Sequence, residues 1–273
     1  TSNRWCGTPA RSAGVSFANV RELVRMATHR TYLQLRTGSL QLEEADVAWR
    51  VVDAVRDPLV ETSFLSAYSI ALALAARYQD AQSAAESLWR KAKELRFDFA
   101  CPYALCARAM ACAGRRMWSD AEAAVEEALE RAERLRDAHA VLLGQSVLIR
   151  ILAQQNQLSR ALAIPIADSQ AALDASIAEA LCSRALCLAC IGRLDHAREL
   201  ISGVARTSRA VEPAVLIPAV EAACAIRGGD ADSIERTAAV RHAAFDSGAV
   251  DLLVTTYRSC PELVPILLRE EGS

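Results

Sequence analysis

The sequence predicts an all-α fold, a right-handed superhelix of antiparallel helix pairs. Three observations predict it. Apolar residues make up 52% of the 273, mainly Ala, Leu, Val and Ile, with only 5% aromatics. That composition suits close-packed helices better than sandwiches of aromatic and β-branched strands. One kind of stretch recurs: RYQDAQSAAESL from Arg77, MWSDAEAAVEEAL from Met117, QLSRALAIPI from Gln157, GRLDHARELI from Gly192 and GDADSIERTA from Gly229. Aligning the alanine gives Ala45, Ala81, Ala121, Ala161 and Ala197, with Ile234 in the equivalent place of a last copy, at separations of 36, 40, 40, 36 and 37. A period in that range marks a helical solenoid, in which each pair buries its apolar face against its neighbours.

Each recurrence reads as the junction between two helices. Five residues before the alanine stands Gly192, Gly229 or Asn156, residue types that end a helix by accepting a left-handed conformation. In the third copy Gly114 lies seven residues before Ala121, which implies two extra residues in RRMWSD. Asp80, Asp120 or Asp195 then falls near the start of the second helix, favoured there by unpaired N–H groups and the helix dipole. The alanine sits where the two helices approach most closely.

In chain order, residues 1–15 are expected to be disordered and 16–247 to hold about six pairs. The first pair spans 16–37 and 41–56; the second spans 59–76 and 79–95. The third, 98–114 and 118–135, accommodates Pro102 in its first turn. Its second helix puts Ala121, Val125, Ala128, Leu129 and Leu135 near helical spacing, with the i,i+4 pairs Glu127–Arg131 and Glu130–Arg134 on the solvated face. The fourth, 138–155 and 158–170, should be shortened or kinked at Pro165. The fifth spans 173–191 and 194–209; the sixth, 212–227 and 231–246, carries Pro213 and a kink at Pro218. Trp49, Trp89 and Trp118 fall on second helices and read as packing residues. Residues 248–273 form a capping helix region broken near Pro261, and no long linker divides the chain.

Composition excludes several function classes. Formal net charge is −2 with no Lys/Arg-rich block, so this segment is not expected to bind nucleic acid, which needs clustered phosphate-neutralising cations. No stretch approaches about 18 uninterrupted apolar residues, and TSNRWCGTPARSAG lacks the pattern of a signal peptide. No membrane contact and a cytoplasmic location are therefore expected. The nine cysteines lie mostly in alanine-rich stretches, and Cys187 and Cys190, spaced CxxC, read as buried structural thiols without zinc or redox role. His29, His139, His196 and His242 are scattered over different repeats, and neither HExxH nor GxSxG occurs. The chain is not expected to be an enzyme or to carry a cofactor or metal.

Stacked pairs curve into a concave groove lined by first helices, and binding is the expected function. Six residues before each turn site stand Gln34, Ile70, Arg108, Arg150 and Leu186; one helical turn earlier stand Ser66, Ala104, Ser146 and Cys182. The candidate ligand-binding set is Ser66, Ile70, Arg108, Ser146, Arg150, Gln154, Glu179 and Leu186. Arg108 and Arg150 at equivalent positions of consecutive repeats point to an anion held by guanidinium forks. The expected occupant is a protein or peptide, or a small anionic ligand.

GRLDHAREL and WSDAEAAVEEALERA are similar to tetratricopeptide-like units, although the usual large aromatic and proline positions are mostly absent. FDSGAVDLLVTTYRSCPELVPILLREEG, following such units, resembles the end of the helical region in large actinobacterial LuxR-type regulators. Those proteins combine a nucleotide-binding module, a helical repeat region and a C-terminal helix-turn-helix domain. The resemblance implies a TPR-like α-solenoid serving as the sensor region of a bacterial transcriptional regulator, excised where the DNA-binding domain would begin. Nucleotide binding is not carried over, since GxxxxGK[ST] is absent. The alternative is a TPR-like protein–protein interaction scaffold with no small-molecule ligand. A sensor should hold a closed polar pocket between repeats, a scaffold an open groove. The balanced charge predicts that a mobility-shift assay at physiological salt will find no tight, sequence-selective binding of duplex DNA by this segment; such binding would overturn the reading.

Overall fold

The computed structural model describes residues 17–166 and 174–269; the disorder expected over 1–15 concerns residues outside this range. Fourteen α-helices and no strand occur among the described residues. In order they are α1 (Phe17–Thr37), α2 (Glu43–Trp49), α3 (Pro58–Leu74), α4 (Tyr78–Leu95), α5 (Cys101–Gly114), α6 (Trp118–Leu135) and α7 (Ala138–Gln154). There follow α8 (Leu158–Ala163), α9 (Asp174–Cys190), α10 (Leu194–Val204), α11 (Val211–Gly228), α12 (Ser233–Ser247), α13 (Val250–Ser259) and α14 (Val264–Arg269). No helix among the described residues is long and apolar enough to cross a membrane.

The helices pack in neighbouring pairs, and one local device builds five of the six junctions. Ala76, Arg116, Asn156, Gly192 and Gly229 all have positive φ, between 57° and 82°. Each is followed by an N–H that reaches back five residues to a helix carbonyl at 2.9 Å: Arg77 to Leu72, Met117 to Cys112, Gln157 to Leu152, Arg193 to Leu188 and Asp230 to Ala225. This bond satisfies a carbonyl that the end of the helix would otherwise leave open. All five turn sites lie five residues before the aligned position, so the two-residue insertion expected after Gly114 does not exist. Gly114 is the last helical residue of α5. It is needed for space: a Cβ there would lie 2.2 Å from Cε1 of Tyr78.

The aligned alanines occupy the tightest contacts. Ala81, Ala121 and Ala197 have no exposed surface, and Ala45 and Ala161 are buried. Ile234 departs from the set and is exposed. In the other copies the second helix starts two residues after the turn, but α12 starts at Ser233, four after Gly229, so the inward position passes to the buried Thr237. Asp57 and Asp137 cap α3 and α7 through bonds to the N–H groups of Leu59, Val60 and Ala140. Asp80, Asp120 and Asp195 lie in first turns, where no side chain makes a cap bond and the dipole favours a negative charge; Asp80 also accepts from Nε of Arg77 at 2.9 Å. Helix α8 stops before Pro165, whereas Pro218 is absorbed within α11.

The helices α1, α3, α5, α7, α9 and α11 each pack on the next, and α1 also meets α11. These six form a closed ring, with the even-numbered helices up to α12 outside it. The seam is sealed where the Leu40 N–H donates to the Ser247 carbonyl at 2.7 Å. Helix α13 turns inward and packs on α3, α7, α9 and α11. Asp251 accepts a bond from the Tyr78 hydroxyl at 2.9 Å. Arg258 donates to the carbonyls of Ala113 and Gly114, both at 3.0 Å, and to Oε1 of Gln154, placing a cation on the negative end of α5. Helix α13 therefore fills the end of the ring where α5 and α7 terminate.

The crowding at Gly114 has a measurable consequence. Gly114→Ala should lower stability by about 1–3 kcal/mol through overpacking against Tyr78. Gly203→Ala, in α10 with nothing within 4 Å of the added methyl, should raise it by about 0.5–1 kcal/mol. Melting temperatures that move together would contradict the Tyr78 placement.

Candidate functional site

The ring retains a recessed cavity of about 120 Å³ at the end away from α13. Every inner helix contributes to its wall: Tyr32, Leu35 and Arg36 from α1, Ser66, Ala67 and Ile70 from α3, and Tyr103 from α5. The wall is completed by His139 and Leu143 from α7, Glu179 from α9 and Glu212 from α11. Several lining residues stand at matching distances before the turn sites. Tyr103, Leu143 and Glu179 lie thirteen residues ahead of Arg116, Asn156 and Gly192; His139 and Glu212 lie seventeen ahead of Asn156 and Gly229. The two positions are one helical turn apart, so they stack on one inward stripe.

The polar half of the wall is unusual for its burial. Glu179 and Glu212 are 7% and 3% exposed. Burial raises the Glu179 carboxyl well above its ordinary range, and the charge of Glu212 adds to the rise. Burial raises Glu212 as well, against the pull of Arg150. Desolvation disfavours the charged form, and a neighbouring like charge does the same. Arg36 and Arg150 act on both glutamates through space. Arg150 is 4% exposed, and neither of its terminal nitrogens has a hydrogen-bond partner among the described residues. The same guanidinium acts on Asp251 of α13, whose carboxyl burial pushes up to about 6.

The remaining polar groups of the wall are tied back into the protein. Nδ1 of His139 lies 2.6 Å from Oγ of Ser176, and burial followed by the Arg36 charge lowers the pKa of its ring. The Tyr103 hydroxyl donates to Asp137 at 3.0 Å, the residue that caps α7. The Ser66 hydroxyl donates to the Thr62 carbonyl. No protein-family model matches the chain, and no curated protein matches it. The site is therefore read from its own chemistry.

The structure divides the residues singled out from sequence. Ser66, Ile70 and Glu179 line the cavity. Ser146 is wholly buried and pairs with Oγ of Ser183 at 2.9 Å. Leu186 belongs to the core, and Gln154 is held between the Arg150 carbonyl and Arg258. Arg108 does not share a wall with Arg150. It is exposed and borders a separate hollow with Glu86 and Trp89 of α4. The reason is the turn at Arg116: counting six residues back reaches the buried Met110, not Arg108. The expected anion clamp of Arg108 and Arg150 is thus absent.

Arg36, Tyr103, His139 and Glu212 were missed, although the inward stripe that carries three of them was available once the turns were placed correctly. Trp49, Trp89 and Trp118 pack partly buried against the core. Cys187 and Cys190 are buried and free, and burial pushes the Cys187 thiol up to about 12, leaving it protonated and a poor metal ligand or nucleophile.

The Asp251 carboxyl gives a pH signature. Its pKa is 3.8 ordinarily and about 6 in the fold, so between these values the native state keeps a proton that the unfolded chain releases. The associated stability is full below about pH 4 and is lost as pH rises through 6. Asp251→Asn retains an acceptor for Tyr78. It should gain about 1–3 kcal/mol relative to wild type between pH 4 and pH 7.5, measured by paired thermal melts. A pH-independent difference would contradict the assignment.

Proposed function

We propose that the chain is the ligand-sensing helical-repeat region of a bacterial transcriptional regulator, taking a small molecule in the central cavity. The observation that carries this reading is the cavity itself. It draws at least one side chain from each of six inner helices, so an occupant bears on the whole ring at once. Its mixture of apolar wall and buried carboxyls matches what small-molecule sites use for affinity and orientation.

A peptide-binding scaffold needs an open groove, whereas here α1 meets α11 and α13 occupies one end of the interior, which favours the sensor reading. We also read the helix pairs as tetratricopeptide-like units of a right-handed superhelix, tight enough to bring α11 back to α1. The similarity of the C-terminal stretch to LuxR-type regulators supports the regulatory context. Output would pass through α13: Arg150 acts on both Glu212 in the cavity wall and Asp251 of α13, so a charge bound beside Glu212 changes the field at α13.

Ile70→Trp fills the cavity without adding charge. In a thermal-shift screen against a panel of small metabolites, wild type should be stabilised by at least one compound that leaves Ile70→Trp unmoved, with helical circular dichroism confirming that the variant folds. Equal responses from both proteins across the panel would remove the cavity as the ligand site.

A further inference from the structure

We infer that the cavity is a site for a compact organic ammonium ion, held between Glu179 and Glu212. This rests on the cavity being the ligand site and adds the chemistry of its occupant. Two buried carboxylates on adjacent inner helices, α9 and α11, enter the wall of one cavity. Together they offer four acceptor oxygens. The hydroxyl groups of Ser66 and Tyr103 spend their protons elsewhere, on the Thr62 carbonyl and the Asp137 carboxylate. Each leaves an oxygen lone pair available toward the cavity. The complement of such a wall is a group that brings several N–H donors and a positive charge.

Charge points the same way. Glu179 and Glu212 share the influence of Arg36 from α1 and Arg150 from α7, and Arg150 is shared again with Asp251 of α13. Arg258 is engaged with carbonyls at the end of α5. His139 is driven toward the neutral form by burial and by Arg36, and the Cys182 thiol is pushed up to about 12. Asp251 also feels Arg258, so what bears on the cavity is the pair of buried glutamates with Arg36 in the same wall and Arg150 behind it, neither guanidinium hydrogen-bonded to a glutamate. Burial, and at Glu179 the neighbouring Glu212 charge, favour keeping a proton on the glutamate pair. An ammonium ion takes over that proton's role, and the proton leaves to solvent. An anion would set a further negative group against the two glutamates. The rest of the cavity suits a short hydrocarbon body, with Leu35, Ile70 and Leu143 as aliphatic wall and Tyr32 and Tyr103 as rings able to face a cation.

The test compares n-butylammonium, butyrate and n-butanol on wild type, Glu179→Gln, Glu212→Gln and Ile70→Trp, by thermal shift and ligand-observed NMR. n-Butylammonium should stabilise wild type, bind at least tenfold more weakly to either Gln variant, and leave Ile70→Trp unmoved. Butyrate and butanol should do nothing. On wild type alone, n-butylammonium affinity should rise with pH as long as the amine stays cationic, because binding displaces a proton from the glutamate pair; this arm needs no variant to fold. A pH-independent affinity, undiminished binding to Glu179→Gln, or an equal effect of butyrate or butanol would overturn the inference. If the ammonium fails while butyrate or butanol separates wild type from Ile70→Trp, the ammonium assignment falls and the cavity remains the ligand site. If none of the three separates them, the ammonium assignment falls, and the metabolite panel decides on the cavity.

Discussion

The structure depends on a left-handed residue placed five positions ahead of the aligned site at five of the six junctions. That single backbone conformation, closed by a five-residue-back hydrogen bond, fixes how one helix leaves its predecessor. The buried alanine of most junctions then lets the two helices come close. Ala76, Arg116, Asn156, Gly192 and Gly229 all adopt it, so five pairs share one kind of turn. Non-glycine residues in this region cost on the order of 1 kcal/mol each, a strain that the hydrogen bond and the packing beyond it must offset. The succession of packed inner helices ends with α11 against α1, which closes the ring.

Closure creates an interior with two unlike ends. At one end α13 supplies apolar surface and ties itself down through Tyr78, Gln154 and the carbonyls of α5. At the other, the first turns of α7 and α11 deliver His139 and Glu212 into a shared space. Dipoles at helix N-termini favour negative charge, which makes the start of α11 a tolerable place for Glu212 despite its burial. Between the two ends Arg150 acts on carboxyls of both. The polar interior is therefore one connected electrostatic system rather than isolated buried groups.

Much of this was legible in the sequence, and the misses have physical causes. The recurring alanine was visible because close helix contact leaves room for little else, and Ala81, Ala121, Ala161 and Ala197 are all buried. Turns were visible where Asn156, Gly192 and Gly229 occupy the left-handed site. The turn at Ala76 was placed by the spacing alone, and the one at Arg116 was hidden, because an arginine gives no sign of positive φ. Gly114 then offered a false turn, because its small size serves the Tyr78 ring instead of the backbone. That two-residue slip put Arg108 on the wrong face and produced the anion clamp. Glu179 was singled out, but Glu212, His139 and Tyr103 required knowing that the cavity lies at the N-terminal ends of α5, α7 and α11. Ring closure depends on accumulated rotation, which no local pattern encodes.

A row of repeats that ends freely can gain or lose a unit and remain a sound structure, because each unit touches only its neighbours. The seam between Leu40 and Ser247 removes that freedom. Duplicating or deleting one 40-residue unit would leave the inner helices with the wrong total rotation, parting α1 from α11 and evicting α13 from its seat. Closure thus ties the fold to one number of units, and change that leaves the ring intact must fall on side chains, such as those of the inward stripe, rather than on length.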